Sequence, residues 1–118
     1  MIKFDYTDVG QRLRDADMIN SDEEMSIKFF GKSPSYVSSN RSKNNKPPSL
    51  ESLTHMMVKL EREIQLLEAE IHSDRCTMDT IAQSSTLYKL QSEVAEQILE
   101  LVLKGEELPR PMRRLNYL

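Results

Sequence analysis

The stretch "SLESLTHMMVKLEREIQLLEAEI", residues 49–71, decides the fold class. Leu53, Met57, Leu60, Ile64, Leu67 and Ile71 recur at spacings of 4-3-4-3-4. Such a heptad seam lays one apolar stripe along a helix and requires another apolar helix to cover it. From Ser49 to Lys104 there is neither Gly nor Pro, so nothing interrupts helical backbone. The next seam positions are Asp74 and Met78, so the stripe breaks there. A second stripe follows, carried by Leu87, Leu90, Val94, Ile98, Leu101 and Val102. Between the stripes, "DRCTMDTIAQSSTLY" is poor in strong helix formers, and Ser84 or Ser85 suits the cap of a new helix. One bent helix or an αα-hairpin turning near 73–85 both satisfy the pattern, and the weak middle favours two helices.

Working back from Ser49, the segment "RSKNNKPP" (41–48) ends in two prolines that forbid helix through that point. Before it, "GKSPSYVSSN" (31–40) reads as a turn at Gly31 and a short helix over 34–40. Ser33 caps that helix and Pro34 takes its first position. Only Tyr36 and Val37 can anchor it, which turns Ser35, Ser38, Ser39 and Asn40 outward. A second helix over 22–30 begins at a capping box, Ser21 with Glu24, and buries Met25, Phe29 and Phe30. A first helix over 7–19 places Val9, Leu13 and Ala16 on one face, with Thr7 or Asp8 as its cap. The expected fold class is therefore all-α. Residues 1–48 form a helix-turn-helix bundle, 49–104 coiled-coil-like helices, and 105–118 a basic extended tail, "RPMRR" at 110–114 facing DNA backbone, an acidic partner or solvent.

The charge pattern assigns work to the third helix. The formal net charge is −3, yet residues 25–50 hold five bases and no acid, while 51–107 hold twelve acids and five bases. A helix that enters the major groove, ~12 Å wide, needs short polar side chains outward and cations at its rim. Ser33, Ser35, Tyr36, Ser38, Ser39 and Asn40 fit base edges, and Lys32, Arg41, Lys43 and Lys46 fit phosphates. Double-stranded DNA is the expected partner.

Residues 23–56, "EEMSIKFFGKSPSYVSSNRSKNNKPPSLESLTHM", resemble the core of the Cro/repressor-type (Xre-like) helix-turn-helix family. The matching features are the acidic helix start Glu23–Glu24, small Ser26, turn Gly31, Ser33–Val37, the polar loop Arg41–Lys46, and Pro48, Ser49 and Leu53. The run from Ser26 through Phe29, Gly31, Lys32 and Ser33 to Tyr36 is also similar to short uncharacterised alphaproteobacterial proteins. Met25 stands six residues before Gly31 where the family usually has five, which implies one extra residue in the second helix or its turn. Ser26 replaces the common Ala. The resemblance implies a regulator of transcription that binds palindromic DNA as a dimer. The dimer is expected from the seams, through Leu53, Met57, Leu60, Ile64, Leu67 and Ile71 with Leu87, Leu90, Val94, Ile98 and Leu101. Intramolecular packing of the same residues is the competing arrangement.

Other chemistry finds little footing. There is no Gly-rich phosphate loop and no Ser/His/Asp arrangement, so no enzyme is expected. His55 and His72 lie 17 apart, and Cys76 follows His72 by four, short of the three or four ligands a metal needs, so no cofactor is expected. A single cysteine, no apolar run of ~18 residues and no signal-peptide core indicate a cytoplasmic protein without membrane contact. The rival function is a protein-interaction module, an anti-activator, adaptor or structural component, that uses the acidic helices of 50–104.

Overall fold

The computed structural model describes residues 4–73 and 77–105. The protein is all-α, and no strand occurs among the described residues. The elements are α1 (Tyr6–Asp15), α2 (Asp22–Glu24), a π-helix (Met25–Phe29), α3 (Tyr36–Ser42), α4 (Leu50–Ile71) and α5 (Met78–Leu103).

α4 and α5 form an antiparallel hairpin, and α5 starts from an unexpected cap. Thr77 accepts the Thr80 N–H at 3.2 Å, whereas Ser84 is buried inside the helix. The turn is therefore complete before 78, and the weak helix formers of 78–86 are held helical by packing rather than by propensity. Leu53, Met57, Leu60, Ile64 and Leu67 are buried together with Leu87, Leu90, Val94 and Ile98 in one core, and Leu101 packs at its edge. Ile71, the last seam residue, is half-buried. The residues assigned to a dimer seam are thus taken up within the chain, because a covalently attached helix reaches the stripe without the entropy loss of association.

The N-terminal elements share that core. Phe4, Tyr6, Leu13, Met25, Phe29, Phe30 and Val37 belong to the same buried cluster as the hairpin residues. Pro48 thus marks a change of element, with common packing on both sides. Phe4, Tyr6, Phe30 and Tyr36 form an aromatic chain with ring centroids 5.0–6.1 Å apart, largely edge-to-face. Arg12 on α1 pairs with Glu93 on α5, and Gln83 Nε2 donates to the Ala16 carbonyl at 2.9 Å.

Local chemistry shifts several helix limits from the sequence reading. α1 is capped by Asp5, whose carboxylate accepts the N–H groups of Thr7 at 3.0 Å and Asp8 at 3.1 Å. It ends at Asp15 because Asp17 turns left-handed (φ 61°). The Asp17 and Met18 N–H groups then bond back to Arg14 and Leu13. Ser21 caps α2 by accepting the Glu24 N–H at 3.2 Å, as expected of a capping box. The Glu24 carboxylate reaches one residue further back, to the Asn20 N–H at 3.0 Å. The Lys28 ammonium, and with it the Asn20 N–H, holds that carboxyl below the usual range.

The stretch before Gly31 is a π-helix. The Phe30 N–H bonds to the Met25 carbonyl at 3.3 Å, five residues back, and Lys32 N–H to Ser26 at 3.0 Å. The wider turn keeps both Met25 and Phe29 in the core. Gly31 then reverses the chain at φ +63°.

Candidate nucleic-acid interface

α3 begins two residues later than its Ser-Pro signature suggests. Ser33 and Pro34 form a turn closed by Tyr36 N–H to the Ser33 carbonyl at 3.1 Å, and helical geometry starts at Tyr36. Ser35 makes no capping bond. Support comes from across the turn, where the buried Ser26 hydroxyl accepts the Val37 N–H at 3.0 Å and donates to the Asp22 carbonyl at 2.8 Å. An Ala at 26 would leave that N–H without its acceptor, so the hydroxyl at this position has a structural role.

The outer face of α3 carries Ser35, Ser38 and Ser42, all exposed, with Ser39 half-exposed. Ser38 and Ser42 return their hydroxyl protons to the carbonyls of Ser35 at 3.2 Å and Ser39 at 2.9 Å. Their oxygen lone pairs stay outward as acceptors. Ser33 is exposed and its hydroxyl lies 3.4 Å from that of Ser35. α3 packs on α2 and the π-helix.

Asn40, expected at the base edges, is buried. Its Nδ2 donates to the Tyr6 hydroxyl at 3.1 Å, and Tyr6 donates to the Lys46 carbonyl at 2.6 Å. This relay ties α1, α3 and the loop after α3 together. Burial pushes the Tyr6 phenol well above its ordinary range, so it stays a protonated donor. Asn40 is polar for the sake of the core, because a buried amide with partners fixes position as an outward one does not. Tyr36 is also half-inward, with its ring 5.5 Å from Phe30 and its hydroxyl accepting the Ser49 N–H at 3.3 Å.

The basic segment is less free than its sequence implies. Arg41 forms an ion pair with Asp22 (Nη1 to Oδ2 2.9 Å), and Arg14 joins the same carboxylate at 3.2 Å. Arg41 Nε is buried with no hydrogen-bond partner among the described residues. Lys32 pairs with Glu51 at 3.0 Å and Lys28 with Glu24 at 2.5 Å. Arg41 is therefore a brace between α3 and α2, and its assignment as a phosphate contact gives way to that role. Lys43 and Lys46 are exposed and form no ion pair among the described residues. Between them Asn44 and Asn45 are both left-handed, φ 59° and 54°. Asn tolerates that region better than other side-chain-bearing residues, which explains the Asn pair at the turn.

Tyr6, Asp22 and Glu51 shape this surface and carried no sequence signal for it. Asp22 read as a charge at a helix start, and its partner is 19 residues away. Among the described residues, no three His, Cys, Asp or Glu side chains converge as a metal site. No helix of the described residues is long and apolar enough to cross a membrane. Cys76 and the basic tail from residue 106 onward lie outside the described residues.

The chain belongs to a family of unknown function, DUF6626, whose pattern matches residues 7–106. That span takes in all the helices described above except Tyr6, the first residue of α1. No curated protein and no solved structure matches the chain.

Proposed function

We propose that the protein is a non-enzymatic, cytoplasmic DNA-binding regulator of transcription that presents α3 and the loop behind it to a duplex. The observation that carries this reading is the open serine face of α3, flanked by Lys43 and Lys46, which form no ion pair among the described residues. Ser38 and Ser42 offer hydroxyl acceptors to base edges beside Ser35 and Ser39, and Lys43 and Lys46 grip phosphate. Lys32 is a further phosphate contact. Its partner Glu51 is 76% exposed, and an exposed pair of this kind is worth about 0–1 kcal/mol, which a phosphate readily displaces. The α2–turn–α3 arrangement and the resemblance to the Cro/repressor-type family support the same reading.

Binding to random and selected duplexes, followed by fluorescence anisotropy across a salt series, tests the proposal. Three lysines per protomer in a dimer imply roughly six phosphate contacts and a double-logarithmic salt slope of about −5. Lys43→Glu with Lys46→Glu is expected to remove binding and leave the thermal midpoint in place, because both side chains are exposed. Absence of affinity at ~50 mM salt, where phosphate contacts are strongest, overturns the proposal in favour of a protein-interaction module. The neutralisation of Lys28, Lys32 and Arg41 by acids from other elements is the observation that favours that rival.

A further inference from the structure

α5 carries a second apolar stripe that the hairpin covers only in part: Ala95 and Val102 pack on the edge of the core, while Ile81, Tyr88 and Leu99 stay exposed. Its core face, Leu87, Leu90, Val94 and Ile98, points to α4 and α1. Roughly a third of a turn round the helix, Ile81, Tyr88, Leu99 and Val102 alternate with Ser85, Ser92 and Ala95 at heptad spacing. Ile81 is 45%, Tyr88 47% and Leu99 45% exposed, a large apolar load for a solvent face. A groove of about 280 Å³ lined by Met57, Tyr88, Gln91, Ser92 and Ala95 opens onto the same side. Glu61 and Glu68, the nearest acids of α4, already accept hydrogen bonds from Gln91 and Tyr88.

We infer that this stripe is a homodimer interface in which α5 packs antiparallel on α5 of a second copy, about a two-fold axis at Ser92. The order of residue sizes carries the inference. About that axis each large side chain of the stripe comes within one residue of a small or medium one: Leu99 opposes Ser85, Tyr88 lies next to Ala95, and Ile81 next to Val102. Ser92 opposes itself, where two backbones must approach most closely. Charge fits the same axis. Lys89 and Glu96 are exposed, flank the stripe on one side, and form no ion pair among the described residues. In an antiparallel pair residues on one flank meet the same flank of the partner. Lys89 of each copy then faces Glu96 of the other, giving two symmetry-related ion pairs. A parallel pairing sets the two Lys89 on opposite sides of the seam, each facing uncharged positions of the partner, and lacks this match.

The inference stands on α5 alone and holds whether or not the chain binds DNA. Sedimentation equilibrium of the full chain at ~100 μM, where a standard-sized interface associates, is expected to give twice the 13.7 kDa chain mass. Lys89→Glu and Glu96→Lys each convert two attractions into two repulsions and are expected to weaken association about tenfold or more. The double variant Lys89→Glu/Glu96→Lys restores the pairs with exchanged signs and is expected to recover the wild-type constant. Circular dichroism distinguishes dissociation from unfolding. A monomer at the highest concentration overturns the inference and leaves the stripe to a different partner. A dimer indifferent to the single charge reversals, or one the double variant fails to restore, overturns the antiparallel geometry.

Discussion

Gly31→Ala tests the joint that aims α3. Gly31 sits at φ +63°, and a Cβ there would lie 2.7 Å from His55 Cδ2 and 2.8 Å from Nε2. A left-handed Ala costs about 1–2 kcal/mol from backbone sterics alone. The collision adds a second cost, since the imidazole is held by its Nδ1–H donating to the Phe29 carbonyl at 3.0 Å. Moving the ring breaks that bond, worth about 0.5–1.5 kcal/mol. The sum is about 1.5–3.5 kcal/mol for Gly31→Ala in the wild-type background. In a His55→Ala background the ring is absent, and the same substitution costs only the left-handed strain, about 1–2 kcal/mol. His55→Ala alone costs about 1 kcal/mol. Urea unfolding of the four proteins at one protein concentration closes the cycle, with a coupling of about 1 kcal/mol expected between positions 31 and 55. Equal costs of Gly31→Ala in both backgrounds, within about 0.3 kcal/mol, would refute the contact and with it the claim that α4 sets the turn before α3.

Two further outcomes follow from the packing. Tyr6→Phe strips the hydroxyl that Asn40 donates to and that serves the Lys46 carbonyl, and is expected to cost about 1–3 kcal/mol in thermal unfolding. Ile64→Ala opens a cavity in the hairpin and is expected to cost about 2–5 kcal/mol without changing the association constant, because its seam lies inside one chain. A fall in native mass without loss of stability would return Ile64 to an interface between chains.

The helical class was legible because it depends on local order. The 4-3-4-3-4 spacing of Leu53 to Ile71 and the long interval without Gly or Pro admit helix and little else. The turn at Gly31 and the cap at Ser21 were legible for the same reason, since each is a property of a few neighbouring residues. The interval from Met25 to Gly31 holds a π-helix, whose wider hydrogen bonding the residue pattern did not specify. Reading failed where a partner is remote. Asn40 was placed outward on its polarity, and Tyr6, 34 residues away, draws it into the core. Arg41 and Lys32 were counted as free cations, and acids 19 residues away occupy both. Ser33 and Pro34 announced a helix start, and Ser26 supports a start at Tyr36 instead.

By itself the sequence determined that this chain is helical, that an apolar seam over 53–71 must find a second helix, and that acidic and basic character are segregated along it. Only the tertiary structure decided that the second helix is the chain's own α5, which polar residues face outward, and which cations remain without an acid. The difference is one of range. Helical hydrogen bonds and caps span three to five residues and are written in local order. Burial and ion pairing depend on which distant segments the folded chain brings within a few ångströms, and local order does not encode that distance.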